Sequence, residues 1–272
     1  MRLRVIGDPI EHSLSPEIHA AFAQACALSV HYDKQRVASE EFISAVDAFR
    51  AEGGRGMNVT VPHKVSAFNY ATHRDAAVEL AGAANTLRFD GDSVQAFNTD
   101  GVGLVRDLSE RHGVAIKNAK VLILGAGGAT RGVIGPLLAQ QPASMGIANR
   151  TRAKAQDLVE LCAELETAAD LFALGLDELD AVDPVDLVIN ATSTGLSGGF
   201  EQLSSRLVAP TCYDMSYGQN AVFARWAHKN GAERAIDGLG MLVEQAAESF
   251  YLWTGQRPPT QSVYTVLQRQ FR

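Results

Sequence analysis

At 272 residues and 29.1 kDa the chain is long enough for two compact domains, and its 46% hydrophobic content suffices to build their cores. A net charge of −7 and a pI near 5.5 argue against nucleic acid or an anionic membrane as the main partner, so an anionic ligand must be met by local groups. Cys26, Cys162 and Cys212 show neither CxxC nor metal spacing, HExxH is missing, and no signal-peptide or membrane-spanning stretch occurs, which together predict a reduced cytoplasmic protein with no metal site.

In chain order, Leu3 to Gly7 reads as a short strand and Asp8 to Ser15 as a loop. A helix is predicted from Pro16 to about Leu28, with Ser15 as N-cap, Pro16 at its first position and Ile18, Phe22, Ala25 and Cys26 on one face. Met57, Val59 and Val61 then alternate with Asn58 and Thr60, the period of a strand with one apolar and one polar face. Pro62 cannot donate to a ladder, so the strand should stop there and pass to a helix running through Tyr70. A strand rim offering the Asn58 amide, the Thr60 hydroxyl and, just beyond, the Lys64 ammonium suits a small polyhydroxylated ligand, although a plain polar face with a solvated lysine has the same pattern. Asn85 to Phe89 and Ser93 to Phe97 read as a hairpin about Asp90-Gly91-Asp92, and Asn98-Thr99-Asp100-Gly101 opens another helix.

From Lys120 the rhythm becomes a βαβ repeat, with strands at Val121 to Leu124, Met145 to Asn149, Leu187 to Asn190 and Cys212 to Met215 and a helix from Thr130 to about Gln140. Such alternation predicts a doubly wound parallel sheet of the Rossmann type. Gly125-Ala126-Gly127-Gly128-Ala129 sits between strand and helix, where backbone amides and a helix N-terminus suit a pyrophosphate; Thr130 replaces the third glycine of the usual fingerprint. At the end of the next strand an NAD site carries an acidic residue, about 20 residues on, for the ribose 2′-hydroxyl. This chain has Asn149-Arg150-Thr151 and Lys154 instead, which favours NADP, because a guanidinium pairs with a 2′-phosphate that a carboxylate would repel. After Asp237-Gly238 a long helix is predicted from Leu239 to about Thr254, then a last one beyond Pro258-Pro259, both returning to the first domain. The expected division is 1–100 plus 239–272 for an N-terminal α/β domain completed by C-terminal helices, and 101–238 for the nucleotide domain.

With these motifs in order, the chain resembles the shikimate dehydrogenase family over nearly its whole length. The resemblance is carried by Gly7-Asp8-Pro9-Ile10 with His12-Ser13-Leu14-Ser15-Pro16, by Asn58-Val59-Thr60-Val61-Pro62 with Lys64, and by Ala84-Asn85-Thr86. It continues through Asn98 to Gly101, Gly125 to Ala129, Asn149 to Thr151, Asn190-Ala191-Thr192-Ser193, Tyr213-Asp214-Met215 with Tyr217, and Asp237 to Met241. It implies reversible NADPH-dependent reduction of 3-dehydroshikimate to shikimate, on the route to aromatic amino acids, in a cleft between the two domains. Lys64 and Asp100 would be the catalytic pair. Ser13, Ser15 and Tyr217 would hold the substrate carboxylate, and Asn58, Thr60, Asn85 and Gln245 would contact or position the ring. Gly125, Ala126, Gly127, Gly128, Ala129 and Asn149 would cradle the cofactor, Met215 and Gly238 would line its nicotinamide end, and Arg150, Thr151 and Lys154 would meet the 2′-phosphate. The family often carries arginine where this chain has Lys154.

Chemistry agrees with these roles: a ketone that accepts hydride becomes an alkoxide, and a donor must stand beside it. Lys64 serves either as formal acid or as electrostatic clamp, and Asp100 orients it and a ring hydroxyl. Taken singly, each residue has a plainer use: Ser15 and Asp100 as helix caps, Gln245 as a surface residue, Tyr217 as packing and Asn85 as a turn residue. A dual quinate/shikimate dehydrogenase is the nearest alternative, and the paired serines Ser13 and Ser15 follow the shikimate-preferring pattern. A non-catalytic nucleotide-binding relative would be expected to lack Lys64 or Asp100. A short-chain dehydrogenase needs Tyr-x-x-x-Lys, which none of the six tyrosines provides. Monomer and homodimer both fit the sequence.

Overall fold

The computed structural model of the chain describes residues 1–165, 167–192, 200 and 207–271, so Ser193 of the Asn190 motif lies outside the described residues. The chain divides into two compact units, Met1–Gly103 with Leu242–Gln270, and Leu104–Met241 with Phe271.

The first unit contains β1 (Arg2–Gly7), α1 (Ser15–Ala25), β2 (His31–Arg36), α2 (Phe42–Ala51), β3 (Gly56–Val59), α3 (Lys64–Tyr70), β4 (His73–Arg74), α4 (Ala76–Ala81), β5 (Thr86–Asp90), β6 (Ser93–Phe97) and the start of α5 (Asp100–Arg106). Its sheet is mixed, in the order β2-β1-β3-β5-β6-β4, with β1 parallel to β2 and β3, and β5 antiparallel to β3 and β6. Register pairs Asp90 with Ser93, so the hairpin turns on Gly91 and Asp92, and Gly91 takes the φ of +59° that such a turn requires. Val46, Phe49, Met57 and Leu87 form the buried centre, each side chain contributing on the order of 2 kcal/mol by leaving water.

Four sequence expectations are corrected here. Strand β3 ends at Val59, not Val61: Val61 is 66% exposed, and Thr60 N–H makes one last bond to Ile6 O at 3.0 Å before the chain turns. Ser15 is the first residue of α1 rather than its N-cap; Leu14 holds that position without a side-chain cap, and Ser15 N–H donates to Ser13 Oγ at 3.4 Å. Helix α1 stops at Ala25 because Ala27 adopts a left-handed φ of +52°. Its buried stripe is Ile18, His19, Phe22 and Ala23, which leaves Ala25 exposed.

The second unit carries β7 (Lys120–Leu124), α6 (Gly128–Leu138), β8 (Ser144–Asn149), α7 (Arg152–Ala163), β9 (Asp170–Gly175), β10 (Leu187–Asn190), β11 (Thr211–Asp214), α8 (Val222–Lys229) and β12 (Arg234–Ile236). All its strand pairs are parallel, in the order β12-β11-β10-β7-β8-β9. This is the doubly wound order, and it reverses between β7 and β10, where such sheets bind ligands beyond the strands' carboxyl ends. Val121 to Leu124 are buried on both faces, as a central parallel strand requires.

The chain then returns to the first unit through α9 (Leu239–Thr254) and α10 (Gln261–Gln270). The Trp253 indole donates to Leu87 O at 2.9 Å and lies on Gly56, where any Cβ would come within 2.2 Å of the ring nitrogen. A glycine at the head of β3 therefore lets the returning helix seat against the sheet. No helix among the described residues is long and apolar enough to cross a membrane.

Candidate active site

Within the first unit, α3 begins at Lys64 and α5 at Asp100, and the Lys64 ammonium donates to Asp100 Oδ2 at 2.5 Å. Ala84 N–H donates to Lys64 O at 2.9 Å, which ties the lysine to the segment that carries Asn85. Asn85 donates through Nδ2 to Asp100 Oδ1 at 2.8 Å and to Thr99 Oγ1 at 2.9 Å, while its Oδ1 accepts from Thr99 N–H at 2.9 Å. The Lys64 and Asp100 side chains are 31% and 14% exposed, open enough to meet a ligand yet far less screened than a surface pair. The Asp100 backbone N–H donates to Asn98 Oδ1 at 3.2 Å, and its two carboxylate oxygens accept from Lys64 and Asn85. Gln245, on α9, is half-buried rather than a surface residue; its Oε1 accepts from Thr99 Oγ1 at 3.3 Å and Asn85 Nδ2 at 3.4 Å.

A buried polar layer supports this cluster. Asn58 is 7% exposed and both ends of its amide are engaged: Oδ1 accepts from the Tyr32 phenol at 2.7 Å, and Nδ2 reaches Asn85 O, Thr86 Oγ1 and Ser249 Oγ at 3.2, 3.0 and 3.1 Å. Asn58 is thus turned into the protein, organising Asn85 from behind, and Thr60 is the half-buried residue of that pair nearer the rim. Ser13 Oγ donates to Ser15 Oγ at 3.2 Å, pairing the two serine hydroxyls in front of α1. The Thr60 methyl packs over Gly7, where a Cβ would come within 2.4 Å of it. Tyr32 stacks on His19 with ring centroids 4.2 Å apart and planes 8° from parallel. Burial, only partly opposed by contact with Asn58, pushes the His19 imidazole down to about 3, so it is neutral, and burial raises the Tyr32 phenol well above its usual range. His63, just before Lys64, is buried and bonded to Val37 O at 2.8 Å, a structural use. Tyr32, Thr86, Thr99 and Ser249 escaped the sequence reading. Thr86 and Thr99 stood inside quoted motifs, but nothing in their spacing showed that they meet Ser249, 163 and 150 residues away.

The second unit holds the Gly-rich turn. Gly125 has φ +105° and donates to Ala148 O at 2.7 Å. Thr130, in place of a third glycine, is buried and donates through Oγ1 to Gly125 O at 2.7 Å, locking the turn onto the helix that follows. A Cβ built on Gly127 or Gly128 would meet nothing within 4 Å, so the N-terminus of α6 opens onto a cradle bare of side chains. That cradle fits a pyrophosphate, since amides and the helix dipole face the open space. Asn149 links the turn to the basic segment: its Oδ1 accepts from Ala126 N–H at 3.3 Å and its Nδ2 donates to Thr151 O at 2.9 Å. Arg150, Thr151 and Lys154 are exposed, and Arg152 pairs with Glu178 at 3.2 Å. The exposed Arg150 and Lys154 fit a 2′-phosphate better than a bare ribose.

At the ends of β10 and β11, Met215 N–H donates to Asn190 O at 3.0 Å and Gly238 N–H to Ser216 O at 2.9 Å. A Cβ on Gly238 would sit 2.3 Å from Met215 O, so glycine alone permits the two backbones to touch. Buried Asp214, another residue without a sequence signal of its own, accepts from Asn190 Nδ2 at 3.0 Å, Ser216 N–H at 3.0 Å and Phe223 N–H at 2.9 Å; burial raises its pKa against these bonds. Beneath the same segment, buried Asp107 accepts from Tyr213 at 2.7 Å and Arg111 at 2.9 Å, and a Cβ on Gly240 would overlap its carboxylate at 1.8 Å. Tyr217 and Met215 are half-buried and Gly238 is buried in this unit, while the serines and the Lys64 cluster belong to the first.

An amine–carboxylate pair in one unit and a Rossmann-ordered sheet with an open glycine cradle in the other define a nucleotide-dependent oxidoreductase class. Comparison with known proteins sharpens this. The model of the shikimate dehydrogenase substrate binding domain matches residues 5–87, that of shikimate/quinate 5-dehydrogenase residues 107–197, and that of the shikimate 5′-dehydrogenase C-terminal domain residues 238–268. The chain is 50% identical over 269 residues to the shikimate dehydrogenase (NADP(+)) of Alkalilimnicola ehrlichii, covering 98% of each chain. Among solved structures it is similar to an Ael1 enzyme from Pseudomonas putida, with a TM-score of 0.90, 41% identity and coverage of 98% of this chain and 97% of that one. It is also similar to a shikimate dehydrogenase in complex with NADP+, with a TM-score of 0.83, 32% identity and coverage of 100% and 96%. The chain belongs to the shikimate dehydrogenase family.

Proposed function

We propose that this chain catalyses the reversible NADPH-dependent reduction of 3-dehydroshikimate to shikimate, within the biosynthesis of chorismate and the aromatic amino acids. The observation that carries the reading is the Lys64 ammonium against Asp100 Oδ2 at 2.5 Å, with Asn85 on the other carboxylate oxygen. When bound, NADPH supplies the hydride and NADP+ accepts it in the reverse direction. Lys64 polarises the ketone and gives a proton to the oxygen that becomes the hydroxyl; Asp100 holds the ammonium and accepts from a neighbouring ring hydroxyl. Ser13, Ser15 and Tyr217 hold the substrate carboxylate, Thr60, Asn85 and Gln245 address the ring, and Asn58 fixes Asn85 from behind. Gly125 to Ala129 with Asn149 cradle the pyrophosphate, Met215 and Gly238 bound the nicotinamide, and Arg150, Thr151 and Lys154 meet the 2′-phosphate. In this reading residues 1–100 with 239–272 form the substrate half and 101–238 the cofactor half. The unpaired thiols support a reducing, cytoplasmic setting.

The test is NADPH oxidation on adding 3-dehydroshikimate, set against 3-dehydroquinate and against NADH. Turnover confined to the first substrate with NADPH is expected. Comparable turnover of 3-dehydroquinate would instead make this a dual quinate/shikimate enzyme, and none with either substrate would make it a non-catalytic relative.

A further inference from the structure

Tyr217 has a neighbour that no site motif predicts. Phe271, one residue from the C-terminus, sets its ring against Tyr217 edge-on, with centroids 5.6 Å apart and planes at 72°. The same ring lies on Gly218, where a Cβ would come within 2.8 Å of Phe271 Cδ1 and where φ is +60°. Both the space and the backbone conformation at Gly218 therefore suit this one arrangement. The turn itself is held without Phe271: Arg225 donates to Gly218 O at 3.0 Å and Gln219 O at 2.7 Å, and Gly218 N–H donates to Asp237 Oδ2 at 3.4 Å. Phe271 therefore touches the Tyr217 ring, while hydrogen bonds that do not involve it hold the backbone of the turn. A 41%-exposed phenylalanine is thus seated on a candidate binding residue.

We propose that Phe271 is a positioning residue for Tyr217, holding the phenol ready for the carboxylate of the substrate; this rests on the role given to Tyr217 above. Prior fixing of the ring removes an ordering cost from substrate binding and touches neither hydride transfer nor the nucleotide site.

The experiment is a double-mutant cycle in the full chain with Phe271→Ala and Tyr217→Phe, reading the KM for 3-dehydroshikimate, the KM for NADPH and kcat, with Phe271→Tyr as the conservative control. Phe271→Ala is expected to raise the KM for 3-dehydroshikimate roughly threefold to tenfold, the scale of an edge-to-face aromatic pair, with kcat and the KM for NADPH within about twofold. Phe271→Tyr should restore most of the loss, and Phe271→Ala should add little once Tyr217 is already Phe. If Tyr217→Phe raises that KM and Phe271→Ala does not, the inference is overturned while the role of Tyr217 stands. If Tyr217→Phe has no effect, the role of Tyr217 fails and the inference with it. An equal effect of Phe271→Ala in both backgrounds, or a parallel fall in kcat and thermal stability, also overturns it.

Discussion

The Asn85 amide holds Asp100 by one carboxylate oxygen, at 2.8 Å, and leaves the other to Lys64. The carboxylate is thereby fixed before any ligand arrives, and the fixing group is itself braced by Thr99, Thr86 and Asn58. Replacing Asn85 with Ala strands the Thr99 N–H and frees Asp100 to rotate. Leaving a buried donor unpaired costs about 1–3 kcal/mol, so denaturant unfolding should move by that amount. Turnover should fall further than stability accounts for, because Lys64 and Asp100 lose their common reference. An Asn85→Ala variant with unchanged kcat would show that Asp100 needs no such brace.

Arg150 stands exposed beside Thr151 and Lys154, with no carboxylate at the end of β8. Arg150→Asp should weaken NADPH binding by roughly tenfold to a hundredfold, the range of a lost charge-assisted hydrogen bond to phosphate. Binding of the ring substrate should be unaffected, and NADH, which lacks the 2′-phosphate, should lose little. Isothermal titration with both nucleotides checks this; unaltered NADPH affinity would remove Arg150 from the cofactor site.

His19 gives the first unit a defined acid sensitivity. Its ordinary value of 6.5 falls to about 3 in the folded protein because burial opposes the charged ring. Below about pH 6.5 the unfolded chain takes up a proton that folded His19 refuses, so stability falls as pH is lowered, by up to about 1.4 kcal/mol per unit, until about pH 3. Above that window this contribution is complete and flat. His19→Leu, which cannot titrate, should lose less stability than the parent between about pH 7 and about pH 5, measured as the shift in urea midpoint. Equal losses in both proteins would mean that His19 is protonated in the fold or that other groups dominate.

The sequence disclosed what is local. The hairpin, the Gly-rich turn between β7 and α6 and the strand ends at Asn149 and Asn190 carry short-range signals and lie where those signals put them, although α6 begins at Gly128 rather than at Thr130. Strand β2, with sequence HYDKQR, gave none, because it is the edge of its sheet and its alternate positions are polar. The short helix α4 and strand β12, six and three residues long, are too brief to show a period. Asn58 was read as facing a ligand because alternation assigns faces only within a strand; its actual partners come from β2, β5 and α9, and distant pairings leave no mark on spacing.

The central claim is that the amine of Lys64, 36 residues from its carboxylate partner in sequence, acts on the ketone. The most direct test is kcat for 3-dehydroshikimate reduction by Lys64→Ala, with NADPH affinity measured alongside to report an intact cofactor site. A fall of about 10²-fold or more with NADPH affinity preserved is expected, the scale of lost proton donation or electrostatic stabilisation. Turnover at the parent rate would contradict the account.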